Sequence, residues 1–240
     1  MNKEVKITII FSVLLVAVCT LMVFLGNDIL VILENDRPSQ SIGTTSNGSL
    51  INGKRLPTSG PNFHAYSRLA ALLGRNTVNN RVRDAVVDAY EKMETTMPDR
   101  QFIYGETGWP QGGAFPPHKT HQNGLSVDFM VPVVDEKGKP ATLPASVFNK
   151  FGYEIEFDER GRYKDISIDF EAIAVHLLEL KKSAASNGLS IRIVIFDPTL
   201  QKLLFKAPSG VKLKSSLPFS TKPAWVRHDE HYHVDFTLDE

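Results

Sequence analysis

The feature that most limits how this chain can fold is an uncharged apolar run near its N-terminus. Residues 7–26, ITIIFSVLLVAVCTLMVFLG, contain no acidic or basic side chain. At a rise of about 1.5 Å per residue, a helix of this length spans roughly 30 Å, the thickness of the hydrocarbon core of a bilayer. The run therefore predicts either a helix that crosses a membrane or the apolar region of a secretory signal.

The residues around the run set its orientation. Lys3 and Lys6 precede it, and Asp28 and Glu34 follow it, which places the N-terminus in the cytosol. A cleaved signal has a shorter apolar region followed by a small-residue A-x-A site, which this run lacks. Residues 1–33 are therefore predicted to be an uncleaved membrane anchor rather than a signal sequence. The remainder is expected in the periplasm or on the outer face of the cytoplasmic membrane.

The rest of the chain has the composition of one globular domain. The 240 residues are 42% hydrophobic, which is enough for a single core. The 27 basic and 27 acidic residues cancel, which argues against nucleic acid as a partner, and nothing indicates a protein partner. The single cysteine, Cys19, lies inside the apolar run, so the exported part has no disulfide and depends on its core or on a metal. Residues 34–40 are predicted to be a linker and residues 41–240 the domain.

Residue spacing predicts an α+β fold. Residues 34–62 are rich in Ser, Gly, Asn, Pro and Thr, which predicts a linker leading into an irregular, turn-filled segment. Helical periodicity and capping residues predict helices over 79–93, from Asp169 to Gly188, and over 199–206. Strands are predicted over 101–106, 125–134, 190–196 and 231–238. Helices and strands interleave without strict alternation, so we expect a mainly antiparallel sheet with flanking helices.

Five of the seven histidines fall in two short segments, HKTHQNGLSVDF from residue 118 and HDEHYH from residue 228. Side chains alternate along a strand, so His231 and His233 point the same way. Asp128 stands in the middle of an apolar strand, where a carboxylate is costly unless it is paired or binds a metal. The corner at Gly124 lets the chain fold back and bring His121 over the same face.

A His, Asp and His set with an open position for water is typical of a catalytic zinc site. Zinc lowers the pKa of its bound water from about 15.7 to roughly 7. A structural zinc has four protein ligands, usually including cysteines, so the ligand types favour hydrolysis. Taken singly, each histidine is more often a hydrogen-bonding residue. That ordinary role is assigned to His64, at a predicted helix start, and to His176, beside the core leucines of a helix.

The two clusters also carry a resemblance. GGAFPPHKTHQNGLSVDF together with HDEHYHVDF resembles the penicillin-insensitive murein endopeptidases. These are zinc metallopeptidases of the group that includes lysostaphin-type enzymes, D-Ala-D-Ala peptidases and hedgehog domains. SIGTTSNGSLINGKRLP and VIFDPTLQKLL are similar to flanking parts of that family, so the resemblance covers about residues 41–236.

The resemblance implies an enzyme with one zinc ion that cuts D-Ala–diaminopimelate cross-links between peptidoglycan stem peptides. Carried onto this sequence, the implied zinc ligands are His121, Asp128 and His233. His118, three residues before the first ligand, is implied to line the site.

The implied catalytic residues lie in the second cluster. His231 is the implied partner of the zinc water or of the oxyanion, and His228 lines the site and is a second candidate for the oxyanion. Glu230 stands where the dipeptidase branch of the wider group carries its general base, so it is a second candidate base. Because side chains alternate along a strand, Glu230 and His231 point to opposite faces if the strand has begun at Glu230. His231 is favoured as the general base. The tryptophans that flank the clusters, Trp109 and Trp225, are candidates for the wall of the substrate groove, and the alternative that both are packing residues stays open.

Two further interpretations stay open. Glu230 also fits a D-Ala-D-Ala carboxypeptidase, and the wider group includes zinc-containing domains that bind the wall without hydrolysing it. Ser49 stands where a family cysteine is expected, which removes a disulfide but no chemistry. Asp229 or Asp235 is expected to hold the ligand imidazoles.

Overall fold

A computed structural model describes residues 2–222, 224 and 226–239. Its helices are α1 Lys3–Ile32, α2 Arg68–Leu72, α3 Asn80–Thr96, α4 Phe170–Ser186, α5 Pro198–Leu204 and α6 Gly210–Ser216, with a kinked 3-10 segment at Val147–Gly152. Its strands are β1 Gln40–Thr44, β2 Asn47–Ile51, β3 Lys54–Arg55, β4 Phe63–Ala65, β5 Thr77–Val78, β6 Phe102–Tyr104, β7 Ser126–Met130, β8 Val133–Asp135, β9 Pro140–Ala141, β10 Arg162–Tyr163, β11 Ile166–Ile168, β12 Leu189–Ile195 and β13 His231–Leu238.

A five-stranded sheet forms the centre of the fold. Its order is β12-β13-β7-β6-β4, with antiparallel pairs except for the parallel pair of β4 and β6. A second sheet has the order β10-β11-β8-β9 and is antiparallel. The predicted α+β class with a mainly antiparallel sheet is therefore confirmed.

Helices α3 and α4 cover one face of the central sheet. Phe129 of β7 stacks on Tyr232 of β13 with ring centroids 5.5 Å apart. Tyr90 of α3 and His176 of α4 pack on this pair, and all four side chains are buried. Because alternate residues of a strand face opposite ways, the neighbours of Phe129 and Tyr232 point to the other face, where the polar site lies.

The prediction of an irregular segment is wrong for residues 41–57, because these residues contain a β-hairpin. β1 and β2 pair from Gln40 opposite Ile51 to Thr44 opposite Asn47. Polar composition hid these strands, because the hairpin is held by backbone bonds and buries little besides Leu50. The hairpin packs on the loop before the first histidine cluster, where the Leu50 amide donates to the Gln111 carbonyl.

Two other sequence expectations are corrected. The strand predicted over 125–134 divides at Pro132, which has no backbone N–H to donate, so β7 and β8 belong to different sheets. His64 lies in β4 rather than at a helix start. The helix begins later, at α2, where the Ser67 hydroxyl accepts from the Ala70 amide.

The N-terminal helix α1 is long and apolar enough to cross a membrane. Most of its length is exposed, but Gly26 and Asn27 are buried against the domain. The helix continues to Ile32, beyond the uncharged run.

Candidate metal centre

Strand pairing places Asp128 beside His233. These two residues are direct partners across the antiparallel pair of β7 and β13, where opposite side chains on one face lie about 5 Å apart at Cβ. Asp128 Oδ1 is 2.8 Å from His233 Nδ1. Both side chains are buried, so the pairing brings a carboxylate and an imidazole together out of contact with water.

His121 reaches the same carboxylate from a loop. Its φ of 69° lies in the left-handed region that residues other than glycine seldom adopt, and Gly124 follows with a φ of 75°. The His121 Nδ1 lies 3.1 Å from the Thr107 carbonyl. A carbonyl only accepts, so Nδ1 carries the proton and Nε2 presents a bare lone pair.

The bare nitrogen of His121 has an unfavourable neighbour in the absence of a cation. Its Nε2 is 3.3 Å from Asp128 Oδ1, yet it is buried and has no hydrogen-bond partner among the described residues. Two lone pairs then face each other inside the protein, where an unpaired polar atom costs about 1–3 kcal/mol. A divalent cation between them would satisfy both, so these residues fit a metal.

Two histidines compete to be the third donor. The nearest possible ligand atoms of His118, His121 and Asp128 lie within 4.8 Å of one another. His118, however, bonds to Glu106 Oε2 through Nε2 at 2.6 Å, while its Nδ1 is 3.9 Å from Asp128 Oδ2. His233 instead points its Nδ1 at Oδ1, the oxygen that faces His121. His118 thus belongs to the group whose ligand atoms lie mutually within 4.8 Å, while His233 is the nearer of the two histidines to Asp128.

His233 is held from behind by Asp235. Its Nε2 is 2.8 Å from Asp235 Oδ1. Burial lowers the pKa of His233, but Asp235 and Asp128 outweigh burial and raise it to about 10. Asp235 is itself fixed by Ser126 at 2.5 Å, and it also pairs with Arg192. Asp229, the other expected support, accepts instead from the Phe157 amide.

Tyr153 fixes the second oxygen of Asp128. Its hydroxyl lies 3.1 Å from Asp128 Oδ2, to which it donates, and accepts from the Glu106 amide at 2.8 Å. Burial raises the pKa of Asp128, but the neighbouring imidazoles, His121 first, hold it well below its usual range. Sequence reasoning missed Tyr153, because it follows a kinked segment with no recognisable motif.

Glu106 is a second buried acid that sequence reasoning missed. It accepts from Tyr66 and from Arg75, both at 2.6 Å, and pairs with His118. Burial raises its pKa, but the bonds from His118, Arg75 and Tyr66 outweigh this and lower it to about 2. The one signal in the sequence was a carboxylate at the end of the apolar strand FIYGE.

The two candidate bases form one hydrogen-bonded pair. Glu230 precedes β13, so strand parity does not apply to it, and the expected placement opposite His231 is not observed. Glu230 Oε1 lies 2.8 Å from His231 Nδ1, and His231 Nε2 is 3.8 Å from Asp128 Oδ2. Burial lowers the pKa of His231, but Glu230 and Asp128 raise it above its usual value.

His228 stands beside this pair, with its ring centroid 4.6 Å from that of His231. Its Nδ1 bonds to the Val226 carbonyl at 2.8 Å. Burial and the neighbouring His231 lower the pKa of His228 to about 4. The ring is therefore neutral near pH 7, with a free lone pair on Nε2.

A groove of about 650 Å³ runs over the centre. Its polar floor includes Glu106, His118, His228, His231 and His233. Its lining also includes the apolar side chains of Leu69, Leu73, Val147 and Phe151. The groove therefore offers both hydrogen-bonding groups and apolar surface to a bound molecule.

The tryptophans were expected to wall this groove. Trp109 packs edge-to-face on Phe115 at 5.2 Å, and the Arg75 guanidinium lies 4.9 Å from its ring. Trp225 lies outside the described residues.

Comparison with known proteins gives one family. The model of the family described as penicillin-insensitive murein endopeptidase matches residues 41–239, which include every residue of the centre and most of the chain. No curated protein matches the chain.

Proposed function

From its membership of the penicillin-insensitive murein endopeptidase family, to which the chain belongs, we propose that this protein is a zinc-dependent endopeptidase that hydrolyses peptide cross-links of peptidoglycan. The observation that carries the proposal is the bare Nε2 of His121 facing Asp128 Oδ1, beside the pair of His231 and Glu230. The cross-link follows the family resemblance and is of the D-Ala–diaminopimelate type.

The proposed ligands of one zinc ion are His121 through Nε2, Asp128 through Oδ1 and His233 through Nδ1. In each case a second contact supports the proposed donor: Thr107 for His121, Tyr153 for Asp128 and Asp235 for His233. Such contacts behind ligands fix the tautomer and the ring orientation. The chemistry that zinc supplies when bound is Lewis acidity toward a peptide carbonyl and toward water.

His231 is the proposed general base. Glu230 accepts its Nδ1 proton, so Nε2 is left free to take a proton from water and return it to the leaving amine. Glu230 stabilises the imidazolium that forms and keeps the ring in place, so its role is positioning. Before that proton passes to the amine, the protonated Nε2 of His231 donates a hydrogen bond to the developing oxyanion.

His228 is proposed to bind substrate rather than to hold the oxyanion. Its neutral ring donates Nδ1–H to the Val226 carbonyl, which leaves Nε2 as an acceptor. An acceptor suits a substrate N–H and does not stabilise a negative oxygen. His118 lines the floor beside it.

The proposed location follows from the substrate. Residues 1–33 anchor the chain in the cytoplasmic membrane with the N-terminus in the cytosol, residues 34–40 connect, and residues 41–240 act in the periplasm. Peptidoglycan lies on that side of the membrane.

Extraction of the full chain from membranes by detergent but not by alkaline carbonate would support the anchor, and release by carbonate would contradict it.

Metal analysis tests the centre. We expect about one zinc per chain in the wild type and loss of that zinc in His121→Ala and Asp128→Ala, since each removes one of three ligands. A folded, active wild type without metal would overturn the proposal.

Digestion tests the substrate. Cross-linked muropeptide dimers should become monomers, whereas a free pentapeptide stem should stay intact. The reverse preference would indicate a D-Ala-D-Ala carboxypeptidase. Retention of zinc without cleavage of either substrate would indicate a wall-binding domain.

A further inference from the structure

The C-terminal part of α1 is built into the domain. Asn27 is buried, and its Nδ2 donates to the Leu56 carbonyl at 3.1 Å. Its Oδ1 accepts from Arg55 at 3.1 Å and from Asn76 at 3.0 Å. One turn of α1 is thereby fixed by three hydrogen bonds from its single asparagine side chain.

Neighbouring residues of α1 extend this attachment. Asp28 Oδ1 accepts from the Thr58 hydroxyl at 2.8 Å, and the Phe24 carbonyl accepts from Arg68 at 3.1 Å. Just beyond the helix, Glu34 accepts from the Arg55 amide at 2.6 Å. The segment that joins α1 to the domain is therefore attached at several points. These contacts fix the distance between the domain and the apolar run along the axis of α1.

The position of the domain relative to the membrane follows from which residues of α1 contact α2. Phe24 and Gly26 are the last residues of the uncharged run, and α2 packs on both. Arg68 lies 5.5 Å from the Phe24 ring, and a Cβ placed on Gly26 would lie 2.6 Å from Leu72 Cδ1. Since the run is just long enough to span the hydrocarbon core, α2 lies at its outer boundary.

Exposed apolar side chains surround this point. Leu69 and Leu73 of α2 are 49% and 61% exposed, and Val147 and Phe148 of the 3-10 segment are 65% and 93% exposed. Leu69 and Val147 share a cavity of about 430 Å³ with Val23 and Phe24 of α1. An apolar group of this kind on a protein surface marks a contact site.

We propose that Leu69, Leu73, Val147 and Phe148 form a membrane-contact surface that sits in the outer boundary of the bilayer crossed by α1. The inference rests on the proposed membrane placement of α1. The occupant is lipid, because α1 holds this surface level with the end of its own membrane-spanning run. Large apolar side chains bind at such a depth by burying area in the headgroup and acyl boundary.

The surface is also part of the groove. Leu69, Leu73 and Val147 are among the residues that line it, together with His118, His228 and His231. Contact of these apolar residues with the bilayer would therefore bring the groove close to the membrane surface.

Single-cysteine labelling of the full chain tests the surface. Cys19→Ser removes the only cysteine, and a fluorescent nitrobenzoxadiazole label is then placed at Val147→Cys or Phe148→Cys. The matched control is Val211→Cys on α6, which is 65% exposed, as Val147 is. A label on Cys19 of the wild type reports the anchor. Each protein is reconstituted in phosphatidylethanolamine and phosphatidylglycerol vesicles with and without a shallow nitroxide lipid, and the protein labelled at Cys19 is also placed in vesicles whose nitroxide lies deep in the acyl chains, because Cys19 is near the middle of the apolar run.

We expect the shallow nitroxide lipid to remove most of the emission of a label at 147 or 148 and to leave the emission of a label at 211 unchanged. The label on Cys19 should be quenched by the nitroxide lipid that reaches its depth. Quenching at Cys19 without quenching at 147 and 148 would overturn the membrane-contact surface and leave the anchor standing. An unquenched but blue-shifted label at 148 would place protein there, such as a second copy of this chain, and would also overturn it. No quenching at Cys19 would remove the anchor on which the inference rests.

Discussion

The two oxygens of Asp128 have different partners. Oδ1 faces His121 and His233, while Oδ2 accepts from Tyr153 and lies 3.8 Å from His231. One carboxylate therefore joins the proposed metal ligands to the proposed base. This division depends on the direction in which Tyr153 holds the carboxylate plane.

Removing the Tyr153 hydroxyl tests that dependence. Tyr153→Phe leaves Oδ2 without its donor and the Glu106 amide without its acceptor, while the ring remains. We expect metal affinity to fall about 10- to 100-fold, the usual cost of losing a support behind a ligand. Competition with a chelator of known affinity measures the change. Tyr163→Phe on β10 is the matched control, and an unchanged affinity in Tyr153→Phe would contradict the role.

His231 and Glu230 are separable by substitution. His231→Ala should lower kcat on cross-linked dimers about 10²- to 10⁴-fold, the usual contribution of general acid–base catalysis, and should retain the metal. Glu230→Gln should lower kcat less, because it leaves the imidazole in place and removes only the negative partner. If Glu230→Gln lost more activity than His231→Ala, the glutamate would be the base. Titration of bound zinc in each variant checks that the centre survives.

His176 is expected to make the protein sensitive to acid. It is buried among Tyr90, Phe102 and Phe129, and burial lowers its pKa to about 3. The unfolded chain takes up a proton below about pH 6.5, whereas the folded chain does not until about pH 3. Stability is therefore lost as pH falls through this window.

The variant His176→Phe isolates that contribution. Between pH 7 and pH 5, the free energy of unfolding of the wild type should fall about 2 kcal/mol more than that of the variant. Urea unfolding at each pH measures the difference. Parallel pH curves for the two proteins would mean that His176 takes up its proton over the same pH range in the folded and unfolded states, which would contradict the lowered pKa.

At the scale of elements, the pairing of β7 with β13 decides the site. The spacing of His231 and His233 was predictable, because side chains repeat every two residues along a strand. The partner strand and its register were not, since sequence alone does not state that His233 lies opposite Asp128. A slip of one residue would place Asp128 among the aromatic rings of the other face.

Elements without apolar periodicity were the ones that sequence reasoning missed. The β1–β2 hairpin is polar on most of its surface, so composition predicted turns. Tyr153 follows a segment in which Lys150 and Phe151 both have positive φ, and no helical or strand pattern marks such a path. Its role depends on tertiary contacts with Asp128 and Glu106.

The junction of α1 and α2 gives a prediction at the same scale. Asn27→Ala leaves the buried amide of Asn76 and the half-buried guanidinium of Arg55 without one acceptor and should destabilise the domain by about 1–3 kcal/mol. Urea unfolding of the full chain in detergent measures this. Asn47→Ala at an exposed position of β2 is the control. Equal stability of Asn27→Ala and the wild type would mean that the attachment of α1 is not part of the folded domain.

At the scale of the whole molecule, the centre joins elements that are remote in sequence. The loop of His121, strand β7 and strand β13 meet there, and the only cysteine lies in α1, away from the domain. A metal that binds only the folded state adds stability, about 2.7 kcal/mol at a concentration 100 times its Kd. Chelation should therefore lower the Tm of the wild type.

The variant Asp128→Ala provides the comparison. Because it lacks a proposed ligand, its Tm should not respond to chelator or to added zinc. Differential scanning calorimetry with and without chelator measures both proteins. A wild-type Tm that ignores chelator would mean that the metal contributes nothing to folding stability.

The attachment of α1 through Asn27 and Asp28 also governs where the enzyme can work. A domain on a flexible linker reaches cell wall over a range of distances from the membrane, and the length of the linker sets that range. With the proposed anchor, the groove would stay at one distance from the membrane and move laterally with the lipid, so its search for cross-links would be two-dimensional. The proposed hydrolysis would then be confined to the peptidoglycan that lies nearest the cytoplasmic membrane.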